Sequence, residues 1–520
     1  MKRILTLALA SLMVLSLFAG CGEKKEEEKL AQKKFGGFAV GYAKADITPD
    51  YTLKHGIVGN NDHNTRLSTG VLEPIMATCL ALTDEDGTTM LVYGTDLHGT
   101  YPDILTQVQE QLHEKTGLPK ENIEYNATHN HCGPSANLSS AIGPQQIFSK
   151  DFLEKMVKIG IEAMENRKVA KMYTTFTRPE DMVFVRHYIL KDGTIAAHNG
   201  NLADGTFYGF EDKGDNLLQM VKFTREGEKD VIMFNWQGHP FSSTSEYYTY
   251  LSGVSPAIAR RVLLEKANTE SIYIMGASGN SVQQPALAFA RKYKNNIEYG
   301  TALADAMIAA FDSFKEAETG KIYRTYNNAY VPASGGTAPL KYVLSAFGFG
   351  DVGYVSAPSE MFQSNAFEVR NNSPWKYTFY AQISNGVGGG YVPDADAWAN
   401  PDGCYERGPC KVMAGDGEAF AADQLKLLNE IFEKSGQTKK EKDEGYITVE
   451  ERNTDGQTYT NPKVGGKAKA TKNGFYQVDL ILGISQQTFL CKNEEVANKV
   501  MAKSTMKIYT NYSNLIVDVE

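Results

Sequence analysis

The 520-residue chain is poor in several features, and each scarcity excludes a class of protein. Its six cysteines are too few for a disulfide-built scaffold of this length. It has no basic excess, since 53 Lys and Arg stand against 62 Asp and Glu for a net charge of −9, so nucleic-acid binding is not expected. It has neither the repeated long apolar runs of a multi-span membrane protein nor the 20–50-residue period of a solenoid or propeller.

The composition is that of a globular protein with material for a large core. Apolar residues make up 42% and charged residues 22% of the chain. The length favours two or more domains, or one enlarged domain. Aromatic residues reach 11%, with 28 Tyr against 3 Trp, which fits a secreted protein with a polar, aromatic surface.

The N-terminus has the pattern of a secretory signal. The letters MKR are followed by an apolar run over residues 4–18 and then by AGC, ending at Cys21. The run is too short for a comfortable permanent membrane span. The AGC sequence resembles the bacterial lipobox, in which the cysteine is acylated and becomes the first mature residue. We therefore expect a signal peptide at 1–20 and an extracytoplasmic lipoprotein anchored to the cell membrane through Cys21. The alternative is a plain signal peptide with an unmodified cysteine.

Composition also predicts the domain boundaries. Residues 21–37 are rich in Glu and Lys and are expected to form a lipidated, flexible tether. The main folded domain spans 38–436, residues 437–445 form a polar linker, and residues 446–520 form a small β-rich region. Cys404 and Cys410 close a short loop and either pair or remain thiols. The other cysteines after Cys21 are expected to be buried thiols.

Helix-like and strand-like patterns are mixed along the chain. A helix is expected from Pro102 to a stop at Gly117, and others at 149–168, 254–268, 295–316 and 415–434. Strands are expected at 87–97, 123–131, 170–176, 218–224, 230–236, 271–276, 352–357 and 376–384. The predicted fold class is α/β, of the α+β kind with mixed sheets flanked by helices, and with a small β-rich C-terminal appendage.

The first candidate for chemistry is the pair His129 and His131 in YNATHNHCGP. If the strand from Ile123 continues to His131, both imidazoles point to one face, about 6.5–7 Å apart. Both could then hold one metal ion, or one could bind the metal while the other serves the substrate. Functional groups collect at the carboxyl ends of strands in such sheets. The alternative is two ordinary histidines.

Three further candidates follow apolar or glycine-rich runs. His239 follows VIMFNW, Glu360 follows an apolar run ending in APS, and Tyr391 follows a glycine-rich loop. Taken singly, each is more often structural: a buried histidine, a surface or capping carboxylate, and a packing tyrosine.

The order of these motifs resembles the neutral/alkaline ceramidase family. It runs His-x-His, Asn-Trp-x-x-His-Pro, Pro-x-Glu and Asn-Gly followed by Tyr-x-Pro, and further similar pieces are YAKADIT, RHYILKDGT, GASGN and GCYE. The resemblance covers about residues 38–434. It implies a Zn2+ ion held by four ligands: His129, His239, Glu360 and Tyr391.

The resemblance also implies the catalytic roles and the reaction. His131 would act as the acid/base partner or oxyanion stabiliser, and Arg186 and Tyr405 would contact the substrate. The expected activity is cleavage of the N-acyl bond of a ceramide-like or other N-acylated, amphiphilic lipid by a metal-activated water. No nucleic acid or protein partner is predicted. Two alternatives remain open: a hydrolase of a soluble amide or ester, and a non-catalytic solute-binding lipoprotein in which these four residues would not meet.

Overall fold

The computed structural model describes residues 29–59, 64–197, 202–203, 205–240, 245–331, 340–386, 390–399, 404–447, 457–460, 463–482 and 484–520. The predicted signal peptide, Cys21 and the first part of the tether lie outside these residues. Within the described ranges, none of the helices is both long and apolar enough to cross a membrane.

The described chain forms 29 strands and eight α-helices. The strands of the body are β1 Ala39–Asp46, β2 Gly70–Glu73, β3 Met76–Thr83, β4 Thr89–Thr95, β5 Ile123–Ala127, β6 Lys168–Thr177, β7 Phe184–Val185, β8 His187–Leu190, β9 Ile195–Ala197, β10 Phe207–Phe210, β11 Leu218–Arg225, β12 Val231–Trp236, β13 Tyr250–Ser252, β14 Glu270–Met275, β15 Ser281–Val282, β16 Lys315–Ala317, β17 Tyr323–Val331, β18 Leu340–Phe349, β19 Val352–Ser356, β20 Glu360–Met361, β21 Tyr377–Ala381 and β22 Tyr391–Val392. The C-terminal strands are β23 Gln457–Thr460, β24 Lys463–Val464, β25 Lys469–Ala470, β26 Tyr476–Leu482, β27 Ser485–Cys491, β28 Thr505–Thr510 and β29 Ile516–Val519. The helices are α1 Pro102–Thr116, α2 Gly143–Glu165, α3 Val254–Ala267, α4 Asn296–Ala309, α5 Gln363–Asn372, α6 Ala395–Ala399, α7 Asp416–Ser435 and α8 Glu494–Ala502.

The largest sheet has the order β14-β12-β11-β6-β1-β3-β4-β5, with β16 added on β6. The pairs β4–β5 and β12–β14 are parallel, and the other neighbours are antiparallel. Every residue of β4 and β12 is buried, as expected for apolar strands covered on both faces. The sheet curls back on itself, as the close contact between the Tyr273 carbonyl on β14 and Gly94 on β4 shows. Its two ends therefore meet.

The body has four layers. Helices α1 and α2 cover the outer face of the sheet near β3–β5, and α3 and α4 cover it near β11–β14. A second sheet, β17-β18-β19-β21, packs on the inner face through an apolar core that includes Val92, Met233 and Phe347. Helices α5 and α7 cover the far side of this second sheet. The predicted mixed α/β fold class is confirmed.

The C-terminal strands form one seven-stranded sheet, β23-β28-β29-β27-β26-β24 with β25 on β26, backed by α8. This region contacts the body through the Tyr208 hydroxyl, which donates to the Asn514 carbonyl at 2.8 Å. Ile189 of the body also packs against Leu490 and Leu515. The β-rich C-terminal appendage of the predicted fold is thus present.

Several local predictions differ from the structure. The predicted strand 123–131 ends at Ala127, and the predicted helix 295–316 ends at Ala309, after which residues 315–317 form an edge strand. Cys404 and Cys410 form no disulfide. The Cys404 thiol instead donates to Glu406, and the Cys410 thiol to the Val412 carbonyl.

The polar segments at both ends of the main domain pack on it. In the predicted tether, Ala31 is buried and its carbonyl accepts a hydrogen bond from the Thr89 hydroxyl at 2.6 Å. In the predicted linker, Lys440 pairs with Asp351 at 2.7 Å and Lys442 donates to the Trp375 carbonyl. A buried alanine and a hydrogen bond hold the first segment on the body, and lysine side chains hold the second, although neither segment has an apolar period.

Candidate metal centre

Three of the four predicted ligands converge on one point. Ligand atoms of His129, His239 and Glu360 all lie within 4.8 Å of one another. Nε2 of His129 is 3.2 Å from a carboxylate oxygen of Glu360, and the rings of His129 and His239 have centroids 4.7 Å apart. His129 and His239 are buried. Residues far apart in sequence thus form one compact donor set.

The convergence follows from the curled sheet. His129 follows β5 and His239 follows β12, and these strands belong to opposite ends of the sheet order. The buried Asn126 amide joins the two ends, because it accepts a hydrogen bond from the Met275 backbone and donates to the Gln382 carbonyl. The carboxyl ends of the strands therefore meet at one edge, where functional groups of α/β proteins collect.

The loop that carries His129 and His131 is not a strand. His129 has a φ of 59°, in the left-handed region, so the alternating-face argument for the pair is wrong. Asn130 fixes the loop that follows the strand, since its amide donates to the carbonyls of Asp96 and Ser252 and accepts from the Cys132 backbone. The two imidazoles still come together, with centroids 5.0 Å apart.

A backbone carbonyl orients the His129 ring. Nδ1 of His129 lies 2.7 Å from the carbonyl oxygen of His98, which can only accept, so Nδ1 carries the hydrogen. Nε2 then faces the Glu360 carboxylate at 3.2 Å, on the side where an ion held by both residues would lie. A histidine that donates one N–H to a carbonyl and offers the other nitrogen is the usual arrangement of a metal ligand.

Glu360 and Tyr391 lie side by side. Strands β20 and β22 are parallel and pair Glu360 with Tyr391, so the two side chains share one face. The buried Gln382 side chain fixes this strand pair, because its oxygen accepts from the backbones of Met361 and Ser278. Tyr391 therefore lies next to Glu360, one of the three converged donors.

Burial keeps most of the imidazoles neutral. Burial and the charge on His129 lower the pKa of His98 to about 3, and burial together with neighbouring histidines lowers the pKa values of His131 and His239 well below the usual value. Burial opposes charge on His129 as well, but Glu360 raises its pKa. Burial likewise disfavours the Glu360 carboxylate, but His129 lowers its pKa.

The donor set fits a divalent metal ion. Nδ1 of His239 is buried and has no hydrogen-bond partner among the described residues, whereas the buried Glu360 oxygen is paired with Nε2 of His129 at 3.2 Å. Buried polar atoms are rarely left without a partner unless an ion or water completes the site. Two imidazoles, a carboxylate and an adjacent phenol are nitrogen and oxygen donors of the kind that Zn2+ accepts.

The predicted catalytic residues surround these donors. Nε2 of His131 lies 3.0 Å from Nε2 of His239. The Arg186 guanidinium is buried and lies over the rings of both Tyr391 and Tyr405, at 5.1 and 5.0 Å from their centroids. Tyr405 is 44% exposed and is therefore the most accessible member of the predicted set.

Several residues of the centre were not predicted. Arg66 is buried and donates to the His131 carbonyl, and Gly59, with a φ of 124°, leaves room for the His131 ring. His187 and Glu406 form a buried cluster with Cys404. The sequence did offer a signal for His187 and Glu406, because they directly follow Arg186 and Tyr405, which were already candidates. Spacing between histidines could not reveal them.

Comparison with known proteins supports the fold. No protein-family model matches the sequence, and neither does any curated protein. One similar solved structure is the crystal structure of neutral ceramidase from Pseudomonas aeruginosa, with a TM-score of 0.61 and 13% identity, covering 85% of this chain and 84% of that chain. Another is a ceramidase complexed with C2, with a TM-score of 0.62, 13% identity and the same coverage. The chain therefore has the fold of these ceramidase structures.

Proposed function

We propose that this protein is a zinc-dependent amidohydrolase of the neutral ceramidase type, which cleaves the N-acyl bond of ceramide-like lipids. The observation that carries the proposal is the convergence of His129, His239 and Glu360 beside Tyr391, on a body with the fold of ceramidase structures. The buried His239 Nδ1, which has no hydrogen-bond partner among the described residues, also supports the proposal, because an ion or a water would complete it.

The chain supplies the ligands and the groups that handle the substrate. His129, His239, Glu360 and Tyr391 would hold the ion, which when bound lowers the pKa of water and polarises the amide carbonyl. His131 is neutral and lies beside the donors, so it can take a proton from the attacking water and return it to the leaving amine. Arg186 offers a fixed positive charge for the developing oxyanion, and Tyr405 contacts the substrate at the exposed side.

We also propose that Cys21 carries a lipid anchor, so that the enzyme is held extracytoplasmically at the cell membrane. The support is the AGC sequence after a short apolar run. Of the two alternative functions, a solute-binding lipoprotein is disfavoured, because it predicts that the candidate ligands do not meet. The other alternative, a hydrolase of a soluble amide or ester, differs from the main proposal only in its substrate, so assays with a panel of substrates distinguish the two.

The test is metal analysis combined with a fluorescent ceramide assay. We expect about one zinc ion per wild-type chain and hydrolysis of ceramide in preference to short soluble amides and esters. His129→Ala should lose both the zinc and the activity, because it removes the ligand that His98 orients. The matched control is His113→Ala, a histidine on α1 outside the centre, which should keep both. An active, metal-free His129→Ala enzyme would exclude the proposed mechanism.

A further inference from the structure

A row of charged side chains leads from the candidate centre towards the protein surface. Nε of Arg186 donates to one oxygen of Glu406 at 2.6 Å, and Nε2 of His187 lies 3.0 Å from the other. Nδ1 of His187 lies 2.7 Å from a carboxylate oxygen of Glu211. We call Arg186, Glu406, His187 and Glu211 the relay.

The hydrogen-bond chemistry assigns the charges. Both ring nitrogens of His187 face carboxylate oxygens, which only accept hydrogen bonds, so both nitrogens carry hydrogens and the ring is an imidazolium. Burial opposes this charge, but hydrogen bonds with Cys404, Glu211 and Glu406 raise the pKa of His187 well above its usual value. Burial also opposes ionisation of Glu406, but Arg186 and His187 lower its pKa to about 2. The positive charges of Arg186 and His187 therefore balance the negative charges of the two carboxylates in the relay.

The relay leaves Arg186 little freedom. Glu406 is fully buried and Arg186 nearly so, and the guanidinium also donates to the Gly279 carbonyl. Its remaining face covers the rings of Tyr391 and Tyr405. A long, flexible side chain needs such partners to keep one position, and misplacement of a reacting group by about 1 Å can cost about 100-fold in rate.

We propose that Glu406 and His187 are positioning residues that hold the Arg186 guanidinium against Tyr391 at the catalytic centre. This inference rests on the proposed function. Neither residue reaches the converged donors itself, and both act through Arg186. Glu211, whose side chain is 26% exposed, closes the outer end of the relay.

A second metal ion is the competing interpretation of the same cluster. Ligand atoms of His187, Cys404 and Glu406 lie within 4.8 Å of one another. In the relay, however, Nε2 of His187 carries a hydrogen and has no lone pair to offer, and Arg186 already neutralises Glu406. A second zinc ion in the wild-type protein that is lost in Glu406→Gln would overturn the relay.

The test measures full-length variants for folding, zinc content and kcat/KM. Glu406→Gln removes the charge but keeps the shape, and should lower kcat/KM by roughly 10- to 100-fold with the zinc of the main centre retained. Glu211→Gln, at the outer end, is the milder second variant and should lower it by roughly 2- to 5-fold. The matched control is Asp215→Asn, which breaks another buried pair, with Arg370 at 2.5 Å, and should leave kcat/KM of the folded protein unchanged.

A double-mutant cycle separates positioning from a general structural role. If Glu406 acts through Arg186, the double variant Arg186→Lys with Glu406→Gln should be no slower than Arg186→Lys alone. Losses that multiply would overturn the proposal, as would wild-type activity in a folded Glu406→Gln protein.

Crystal structures give a readout that does not need activity. In Glu406→Gln the guanidinium should leave the two tyrosine rings, moving beyond about 6 Å from their centroids, and an unmoved Arg186 would overturn the proposal. An inactive wild-type enzyme would refute the proposed function, and these structures would still decide the relay.

Discussion

At the scale of a single residue, Asn130 fixes the path of the loop that carries His129 and His131. It is fully buried, and its side chain makes three hydrogen bonds to backbone groups before, within and after that loop. An aspartate could not donate the two amide hydrogens, and a threonine would be too short to span them. The position of His129 therefore depends on a neighbour that binds no metal.

Replacing Asn130 by Ala should loosen the loop and weaken metal binding. We expect a roughly 10- to 100-fold loss of zinc affinity, as for other residues that orient metal ligands. The free energy of unfolding should fall by about 2 kcal/mol, because buried carbonyls lose their donor. Chelator competition and urea unfolding measure the two effects. Asn137→Ala, which removes an asparagine that caps a nearby exposed loop, is the control and should keep its zinc affinity. Unchanged affinity in Asn130→Ala would contradict the role of the side chain.

At the scale of an element, strand β5 joins the layers behind the centre. Asn126 binds the backbones of β14 and the segment after β21. Two residues earlier, Glu124 accepts hydrogen bonds at one oxygen from Ser345 of β18 and from Asn385. Burial raises the pKa of Glu124 to about 7, although these two donors oppose the shift. The strand thus carries an acid that is protonated more readily in the folded state than in the unfolded chain.

This acid makes stability depend on pH in a defined direction. The pKa of Glu124 is 4.5 in the unfolded chain and about 7 in the folded protein, so its contribution favours folding below 4.5 and is lost as pH rises towards 7. Glu124→Gln imitates the protonated acid and keeps an oxygen for both donors. It should raise the free energy of unfolding by about 1–3 kcal/mol at about pH 8, and by much less at about pH 5. Urea unfolding at both pH values measures this. An equal effect at both would show that Glu124 does not titrate between them.

At the scale of the whole molecule, the N-terminal segment joins the body at the pole opposite the candidate centre. The Leu30 carbonyl accepts from Arg167, and Ala31 binds Thr89 at the start of β4. The centre lies beyond Thr95, where β4 ends, and a strand of this length spans about 20 Å. The chain from Cys21 to residue 29 can reach at most about 28 Å. With Cys21 in a membrane, the centre would therefore face away from it except when this segment is almost fully extended.

This geometry predicts how an anchored enzyme meets its substrate. With lipidated protein in one population of vesicles, ceramide in separate vesicles should be hydrolysed at least as fast as ceramide in the same bilayer. Inserting about 20 flexible Gly and Ser residues before residue 29 should raise the rate of hydrolysis in the same bilayer, because the body can then rotate until the centre faces that bilayer. A fluorescent ceramide placed in either population measures both rates. Faster hydrolysis in the enzyme's own bilayer with the native tether would contradict the orientation.

The sequence by itself determined the fold class, the longer helices and several central strands of the body, and it picked out His129, His239 and Glu360 as candidate ligands. These features depend on local patterns: the unbroken apolar runs of β4 and β12, the helical period of α1 with its stop at Gly117, and short motifs around His129, His239 and Glu360. Such patterns lie within a few residues, so they can be read without the fold. The roles of His129, His239, Glu360 and Tyr391 as metal ligands remain predictions.

Only the tertiary structure decided what surrounds those residues. The path of the loop after β5 depends on Asn130, which binds a carbonyl 122 positions away, and the relay depends on His187 and Glu406, which lie 219 positions apart. The polar segments at the two ends of the main domain also lie on the body through distant partners, Thr89 for Ala31 and Asp351 for Lys440. Hydrogen bonds and ion pairs of this range leave no periodic trace in the chain, because the partners become neighbours only when the curled sheet closes.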